Sequence, residues 1–298
     1  MPIPFAATSA LDLIPGSGFL RFPAVCYHYR AMKVAALQKF RQKLADDQAV
    51  YGLWVGLDSA SITEMAVALG LDWVVIDAEH GHLDWHDILE HVRTTVRSDT
   101  VVLVRVAELN IGLIKRALDI GADGVVVPWI ENTGQLHDAV KFATYPTAGL
   151  RGIGGERATV WGEGVAQHVA EADENVLVVP LIESQRAGLG IQGLLGVPGV
   201  DVFFFGPSDY SSTAGHAGQW EGPGVAKQII EVKDAIRRAG KHAGVLATSN
   251  DNLIERREQG FRMIGLGLDG ALMLRSLHDA LRTVDRDRKA NTALDPRS

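Results

Sequence analysis

Eight short apolar runs, separated by stretches with helical periodicity, constrain the fold of this 298-residue chain more than any other feature. Most of the runs are continuously apolar, as strands are when both faces of a parallel sheet are buried. Consecutive parallel strands need a crossover between them, which is usually a helix. The predicted strands occupy residues 52–57, 73–78, 101–106, 124–128, 176–183, 202–206, 242–247 and 262–267.

The segments between the strands carry helix start and stop signals. Ser61 to Glu64 has the pattern of a capping box, and further helices are predicted to begin after Asp84, Asn110 and Asn250. Glycines predicted to end helices just before the next strand are Gly70, Gly121, Gly240 and Gly260. This order, repeated around eight strands, predicts an α/β fold of the TIM (β/α)₈ barrel type. A doubly wound sheet is the alternative, but it usually has fewer strands and an early phosphate-binding loop, which this sequence lacks.

The first 31 residues differ from the rest of the chain. They contain four prolines and one acidic residue, and they show little periodicity. We expect residues 1–31 to be a poorly ordered extension, with a targeting segment as the alternative. An amphipathic helix is predicted from Met32, so residues 32–298 are expected to form a single barrel domain.

Composition excludes several classes of partner. The net charge is −7 and the 29 Lys and Arg residues are scattered, which disfavours nucleic acids and anionic membranes. No apolar run reaches the length of about 18 residues expected of a membrane helix. The single cysteine, Cys26, rules out an intramolecular disulfide and a multi-cysteine zinc site, and it favours a reducing, cytoplasmic compartment.

Polar side chains stand at the ends of several predicted strands. In a TIM barrel the loops that follow the strands share one face, and this face carries the chemistry. Each such residue alone has a structural interpretation, as a helix cap or an ion pair. Together they would bury several charges at the mouth of the barrel, the opening on this face where the strands end. Such burial is costly unless the charges pair or bind a ligand. The residues are Asp77, Glu79, His80, Arg105, Glu183 and Asp209.

Two of these carboxylates, Glu183 and Asp209, follow adjacent strands and form a hard oxygen site. Such a site favours Mg²⁺ or Mn²⁺, with Co²⁺ as a further candidate. A hard cation beside Arg105 is suited to stabilising the enolate of a 2-oxo acid. His80, with Asp77 nearby in the sequence, is the candidate for proton transfer.

Three other patterns favour different chemistry but lack its context. Residues 265–270 fit the dinucleotide-binding pattern G-x-G-x-x-G, yet they follow the last strand instead of opening a βαβ unit. His80 and His82 resemble the first ligand pair of zinc-dependent barrel hydrolases, but later strands offer carboxylates and not histidines. No lysine stands at an apolar strand end, which argues against Schiff-base chemistry.

Motifs in this order resemble the HpcH/HpaI aldolase family of metal-dependent pyruvate aldolases, from about Leu37 to about Leu281. The matching stretches are GLWVGL, VVIDAEHG, VLVRV, VVVPWIENTGQL, YPTAGLRGIGG, VVPLIES and VFFFGPSDYSSTAGHAG. The resemblance implies a TIM barrel that cleaves a 4-hydroxy-2-oxo acid reversibly to pyruvate, or a close 2-oxo acid, and an aldehyde. A CoA-ester lyase or synthase of the same superfamily and a catalytically silent 2-oxo-acid-binding barrel are the alternatives.

The resemblance also implies roles for the reacting residues. Glu183 and Asp209 correspond to the protein ligands of the divalent metal. Arg105 corresponds to the residue that binds the 2-oxo oxygen and stabilises the enolate. His80, supported by Asp77, corresponds to the acid/base residue acting through water.

Further residues correspond to substrate contacts. The backbone amides of Ser208 and Asp209 resemble the pair that holds the pyruvate carboxylate. Trp54 resembles an aromatic residue lining the pocket, with core packing as its alternative. Arg151, in the long glycine-rich connection of residues 129–175, resembles a residue that reaches the aldehyde side, in its own or a neighbouring subunit's site.

The family resemblance implies a homo-oligomer as well, a hexamer built as a trimer of dimers, in which the last helix is exchanged between barrels. Two positions depart from the family pattern. Leu181 stands where several of these aldolases carry glutamine, and Tyr210 stands where leucine is common. The aldehyde substrate therefore stays open at the level of sequence.

Overall fold

A closed parallel barrel organises the computed structural model, which describes residues 32–220 and 222–290. All eight predicted strands are present, each pairs with the next, and β8 pairs with β1. They are β1 Val50–Val55, β2 Trp73–Asp77, β3 Val101–Arg105, β4 Gly124–Val127, β5 Leu177–Ile182, β6 Val202–Phe205, β7 His242–Leu246 and β8 Met263–Leu268. The TIM-barrel prediction is confirmed. The predicted extension, residues 1–31, lies outside the described residues.

The barrel interior is filled by large side chains that meet glycines on neighbouring strands. Trp73 packs edge-on against Phe204, with 6.0 Å between ring centroids. A Cβ atom at Gly52 would come within 2.1 Å of the Trp73 ring, and one at Gly265 within 2.2 Å of Leu246. Gly265 of the G-x-G-x-x-G pattern thus allows close packing inside the barrel, because no side chain fits there.

Helices alternate with the strands around the barrel. They are α1 Val34–Ala45, α2 Ala60–Ala68, α3 Trp85–Thr94, α4 Ile111–Asp119, α5 Thr133–Ala143, α6 Val165–Asn175, α7 Gln185–Leu189, α8 Ile191–Leu195, α9 Pro207–Thr213, α10 Val225–Arg238, α11 Asn250–Glu258 and α12 Asp269–Arg282. None of the helices in residues 32–220 and 222–290 is both long and apolar enough to cross a membrane.

The helix start signals are partly confirmed. Asp84 caps α3 in a capping box with Asp87, and Asn110 caps α4. The four predicted terminal glycines all have positive φ angles, the left-handed region that suits a helix end. The capping box predicted at Ser61 is wrong, because α2 begins one residue earlier, at Ala60, and Ser61 lies inside the helix. Likewise, Ser249 and not Asn250 caps α11.

Helix α1 covers the N-terminal end of the barrel. Its apolar face is buried through residues that include Leu37, Phe40 and Leu44. Its polar side chains pair with acidic residues that precede strands, and Arg41 Nε lies 2.8 Å from Asp201 Oδ2. This helix closes the N-terminal end, so an open pocket along the barrel axis has to form at the C-terminal ends of the strands.

Residues 129–175, predicted as one long connection, contain two helices and a 3₁₀ turn. Helix α5 follows β4, a turn over Arg157–Thr159 comes next, and α6 leads into β5. The interval therefore carries one helix beyond the usual single crossover. The irregular part is confined to residues 144–164.

Candidate active site

An ion pair between Asp77 and Arg105 lies where β2 and β3 end. The two residues are register partners in the sheet, so their side chains leave adjacent strands at the same level. Arg105 donates from Nε to Asp77 Oδ1 at 2.9 Å and from Nη2 to Asp77 Oδ2. The guanidinium also lies over the Trp54 ring, 4.9 Å from its centroid, and Trp54 Nε1 donates to Asp77 Oδ2 at 3.1 Å. Arg105 is therefore fixed before any substrate arrives.

The charge of Arg105 is shared between two carboxylates. Burial raises the pKa of Asp77, but the hydrogen bonds and the charge of Arg105 outweigh burial and leave that pKa below its ordinary value. Arg105 Nη1 also lies 2.9 Å from Glu79 Oε2, as an ion pair that lacks hydrogen-bond geometry. The pKa of Glu79 is raised, because burial exceeds the opposing effect of Arg105. Arg105 is thus already committed to Asp77 and Glu79.

Glu183 follows β5 and is almost fully buried. Its Oε1 accepts a hydrogen bond from the backbone amide of Trp129 at 2.7 Å. Burial raises the pKa of Glu183 to about 7, and the nearby charges of Glu79 and Asp209 add to the rise. A Cβ atom at Gly206 would stand 2.8 Å from Glu183 Oε2, so this carboxylate occupies a space that only glycine leaves open. No ion pair with Glu183 occurs among the described residues, and the charge of Arg105 only partly offsets the rise in its pKa.

Asp209 comes from the next strand along the barrel. It lies in the first turn of α9, which begins at Pro207 directly after β6. The first-turn amides of a helix have no acceptor within the helix, which leaves those of Ser208 and Asp209 available to a ligand. The effect of Asp209 on the pKa of Glu183 places the two carboxylates within electrostatic reach of each other.

His80 is exposed in the loop after β2. Its backbone amide, like that of Glu79, donates to Asp77 Oδ1, at 3.2 Å and 3.0 Å respectively. Within the described residues, Asp77 thus holds His80 through the backbone and not through the imidazole ring. The loop that carries His80 is anchored on the same carboxylate that fixes Arg105.

Comparison with known proteins gives the family. The model of the HpcH/HpaI aldolase/citrate lyase family matches residues 50–276, from the first strand into the last helix. The chain belongs to this family. Every mouth residue described above lies inside the matched region, so the geometry can be considered as that of an HpcH/HpaI protein.

Relatives of the HpcH/HpaI chain carry aldolase names. It is 34% identical to a hydroxypyruvate/pyruvate aldolase of Pseudomonas aeruginosa, covering 82% of this chain and 91% of the relative. It is 31% identical to a 4-hydroxy-2-oxovalerate aldolase of Rhodococcus jostii strain RHA1, over 80% and 92% of the two chains. A crystal structure of a family protein from Burkholderia cenocepacia J2315 matches with a TM-score of 0.78 and 32% identity, covering 83% and 99%.

Arg151 is the predicted site residue that the structure does not bring to the mouth. It is fully buried, its Nη2 lies 2.9 Å from Asp119 Oδ1, and its guanidinium covers the Tyr145 ring at 4.6 Å. Asp119 ends α4, next to the N-terminal end of β4, so this cluster lies at the opposite end of the barrel. The backbone amide of Arg151 donates to the carbonyl oxygen of Thr144, which holds Arg151 against the end of α5. Within one chain, Arg151 packs the glycine-rich connection and does not line the pocket.

Trp54 has the packing role that was its alternative interpretation. It is buried beneath the Asp77–Arg105 pair and packs against Phe204, with ring centroids 5.4 Å apart. It contacts the mouth through the hydrogen bond of its ring nitrogen to Asp77 and through its ring face, over which Arg105 lies. Its contribution to the site is to support the guanidinium of Arg105.

Sequence reasoning missed the role of Trp129. This residue has a φ of +53°, which is unusual for a large side chain, and its side chain is 44% exposed. Such a conformation costs about 1–3 kcal/mol and persists where the surroundings fix it. Here the hydrogen bond that the Trp129 amide donates to Glu183 fixes it. The only sequence signal was that a proline and a tryptophan end β4 at the mouth.

A compact group of potential metal ligands also occurs at the start of α3. Among the described residues, Asp84, His86 and Asp87 bring one ligand atom each within 4.8 Å of one another. The hydrogen bonds of the α3 capping box account for this cluster, since Asp84 and Asp87 each accept backbone amides there. Helix capping explains it without a metal.

Proposed function

We propose that this chain catalyses the reversible aldol cleavage of a 4-hydroxy-2-oxo acid to pyruvate, or a close 2-oxo acid, and an aldehyde. The supporting observation is the excess of carboxylates, Glu183 and Asp209, beside an arginine that is already committed to two others. The aldolase names of relatives more than 30% identical support the same reaction class. The chain is accordingly an enzyme of the lyase type.

The mouth fits a divalent metal ion. Glu183 is buried, its pKa is raised by burial, and the described residues give it a single hydrogen bond. Gly206 makes room for this carboxylate, because a Cβ atom there would stand 2.8 Å from Oε2. Glu183 and Asp209 would hold Mg²⁺ or Mn²⁺ through oxygen atoms, as these hard ions prefer. The ion, when bound, would polarise the 2-oxo group and share the negative charge of the enolate.

Arg105 would bind the oxygen on which charge develops. A guanidinium has five N–H groups, and Asp77 uses two of those of Arg105, so N–H groups remain for a 2-oxo oxygen. The clamp formed by Asp77 and Trp54 means that little reorganisation is needed during the reaction. The free first-turn amides of Ser208 and Asp209 would receive the substrate carboxylate.

His80 would take the proton from the 4-hydroxyl group, directly or through a water molecule. The C3–C4 bond then breaks, the aldehyde leaves with C4, and the electron pair remains on the enolate. A proton from solvent, added at C3, completes pyruvate, and His80 returns its proton to solvent. Imidazole suits this role because it exchanges protons near neutral pH.

The test is exchange of the pyruvate C3 protons in deuterated buffer with Mn²⁺ or Mg²⁺. Wild-type protein should catalyse the exchange, whereas Glu183→Ala and Asp209→Ala should lose it by about 100-fold or more. Wild-type protein that catalyses no exchange with either metal would argue against an enolate-forming aldolase. Unaffected exchange in one variant would remove that residue as a ligand.

An assembly of several copies is part of the proposal. The last helix, α12, exposes large apolar side chains at Met273, Leu274, Leu277 and Leu281. We propose that this face packs on another copy, in the hexameric trimer of dimers implied by the resemblance. Light scattering should give that mass, and Leu277→Asp should dissociate the particle. The single cysteine of the chain supports a reducing, cytoplasmic location.

A further inference from the structure

Asp269, the first residue of α12, joins two segments at the mouth of the barrel. Its side chain is only 9% exposed. Oδ2 accepts the backbone amides of Gly56 and Leu57 at 3.1 Å and 2.9 Å, and Oδ1 accepts the amide of Gly270 at 2.8 Å. Gly56 and Leu57 directly follow β1, so Asp269 fastens the loop after the first strand to the start of the last helix.

The loop that Asp269 holds lies against the loop that carries His80. A Cβ atom at Gly81 would come 3.3 Å from the carbonyl oxygen of Gly56 and 2.4 Å from that of Asp77. The two loops therefore meet at backbone distance, next to His80. A shift of the Gly56 backbone is transmitted to the His80 turn, because this contact leaves no side chain to absorb it.

The groups that stabilise the enolate are held differently. Arg105 is clamped by Asp77 and by the Trp54 ring, and these residues belong to strands whose backbones pair on both sides. Glu183 is held by the amide of Trp129 on the other side of the mouth. Losing the Asp269 hydrogen bonds should move the His80 loop more than these strand-borne groups.

We propose that Asp269 is a positioning residue for His80, acting through the loop after β1. This inference rests on the proposed aldolase function. Two steps at the mouth then depend on different groups. Removal of the 4-hydroxyl proton needs His80, whereas stabilisation of the enolate does not.

Two substrates distinguish the steps. Cleavage of 4-hydroxy-2-oxovalerate requires loss of the 4-hydroxyl proton before the C3–C4 bond breaks. Decarboxylation of oxaloacetate breaks a C3–C4 bond with release of CO₂, leaves the electron pair as the same pyruvate enolate, and removes no hydroxyl proton. In both reactions this enolate then accepts a proton from solvent at C3.

The experiment compares both reactions in full-length wild-type protein, Asp269→Asn and His80→Asn, with Mg²⁺ or Mn²⁺. In Asp269→Asn, kcat for cleavage should fall about 10- to 100-fold, while decarboxylation stays within about threefold of wild type. His80→Asn should show the same selectivity with a larger loss. The pH profile of kcat/KM for cleavage should also change in Asp269→Asn, because the proton-transfer step is the one affected.

A matched control is Asp123→Asn at the other end of the barrel. Asp123 is also buried and accepts two backbone amides, from Lys33 at 3.2 Å and Val102 at 2.9 Å. This variant should lose thermal stability and keep the wild-type ratio of cleavage to decarboxylation. Asp269→Glu, which keeps the charge but displaces it by a methylene group, provides a second variant should Asp269→Asn fail to fold.

Equal losses in both reactions, or no loss of cleavage in a folded Asp269 variant, would overturn the positioning role. Wild-type protein that performs neither reaction would instead overturn the proposed function. The two failures are therefore distinguishable.

Discussion

The two ends of the barrel treat charge in opposite ways. At the N-terminal end, basic residues of α1 and of the segment before it face acidic residues that precede strands, as in Lys33–Asp123 at 3.1 Å and Arg41–Asp201 at 2.8 Å. At the C-terminal end, Arg105 contacts two carboxylates, Asp77 and Glu79, and Glu183 and Asp209 follow β5 and β6 at the same end. Pairing at the closed end offsets the cost of burying charge, whereas the surplus of negative charge at the open end lowers stability, and a bound cation would relieve that cost. This difference distinguishes the acidic residues of the two ends better than burial does, since buried acids such as Asp123 and Glu183 occur at both.

The largest expected effect concerns Arg105. Arg105→Lys keeps the charge but loses the planar fork that binds Asp77, and an ammonium group cannot stack on Trp54 in the same way. We expect a fall of about 100-fold or more in kcat for aldol cleavage, with metal affinity changed much less. The measurement is steady-state kinetics together with titration of Mn²⁺. Activity close to wild type would show that charge alone suffices.

A pair of variants at the two ends should change folding stability in opposite directions. Asp123→Asn removes one partner of a buried pair and should lower the free energy of unfolding by about 3 kcal/mol. Glu183→Gln, studied without metal, should raise it by about 2 kcal/mol at pH 8, because it removes a buried and unneutralised charge. Urea unfolding in the presence of a chelator measures both.

The effect of Glu183 on the free energy of unfolding depends on pH in the metal-free protein. Burial raises its pKa to about 7 in the folded chain, above the value of about 4.3 expected when unfolded. The folded state therefore loses stability as the pH rises between these values. The advantage of Glu183→Gln should grow over the same window and level off above it. An advantage that is constant from pH 4 to pH 8 would contradict the assignment to this carboxyl group.

The smallest expected effect lies at an exposed pair of the closed end. Hydrogen bonds from Arg262 and Arg237 hold the pKa of Asp47 well below its usual range. These contacts of Asp47 contribute stability above the pKa that Asp47 has in the unfolded chain. The contribution is lost as the pH falls through the pKa of Asp47 in the folded chain. Since Asp47 is exposed, Asp47→Asn should cost less than about 1 kcal/mol at neutral pH, and less still in high salt. Thermal unfolding at two salt concentrations tests this.

Sequence predicted the barrel because burial on both faces leaves a continuous apolar run for each strand. It also located Asp77, Arg105, Glu183 and Asp209, since closing the barrel brings strand ends together whatever the details of packing. The fate of Arg151 was not predictable in this way. Its motif marks a loop, and only the packing of α4, α5 and α6 decides which end of the barrel that loop meets.

The contributions of Trp129 and Asp269 were hidden for a related reason. Trp129 acts through a backbone amide, which has no signature in a side-chain pattern. Asp269 lies within a glycine pattern that draws attention to its glycines, and two of the three amides it accepts come from residues more than 200 positions earlier. Hydrogen bonds of such sequence separation are set by tertiary structure alone.

Helix α1 at the closed end also has a consequence for how the chain folds. Its Arg41 pairs with a residue 160 positions later, and Asp47, just beyond the helix, pairs with one 215 positions later. During synthesis these partners emerge long after the helix does, so these two contacts form late, whereas the contact of Lys43 with Asp72 can form earlier. Contacts of such range form slowly. We therefore expect a half-synthesised chain to lack these contacts at the N-terminal end of the barrel. The finished barrel should gain their stabilisation late in folding.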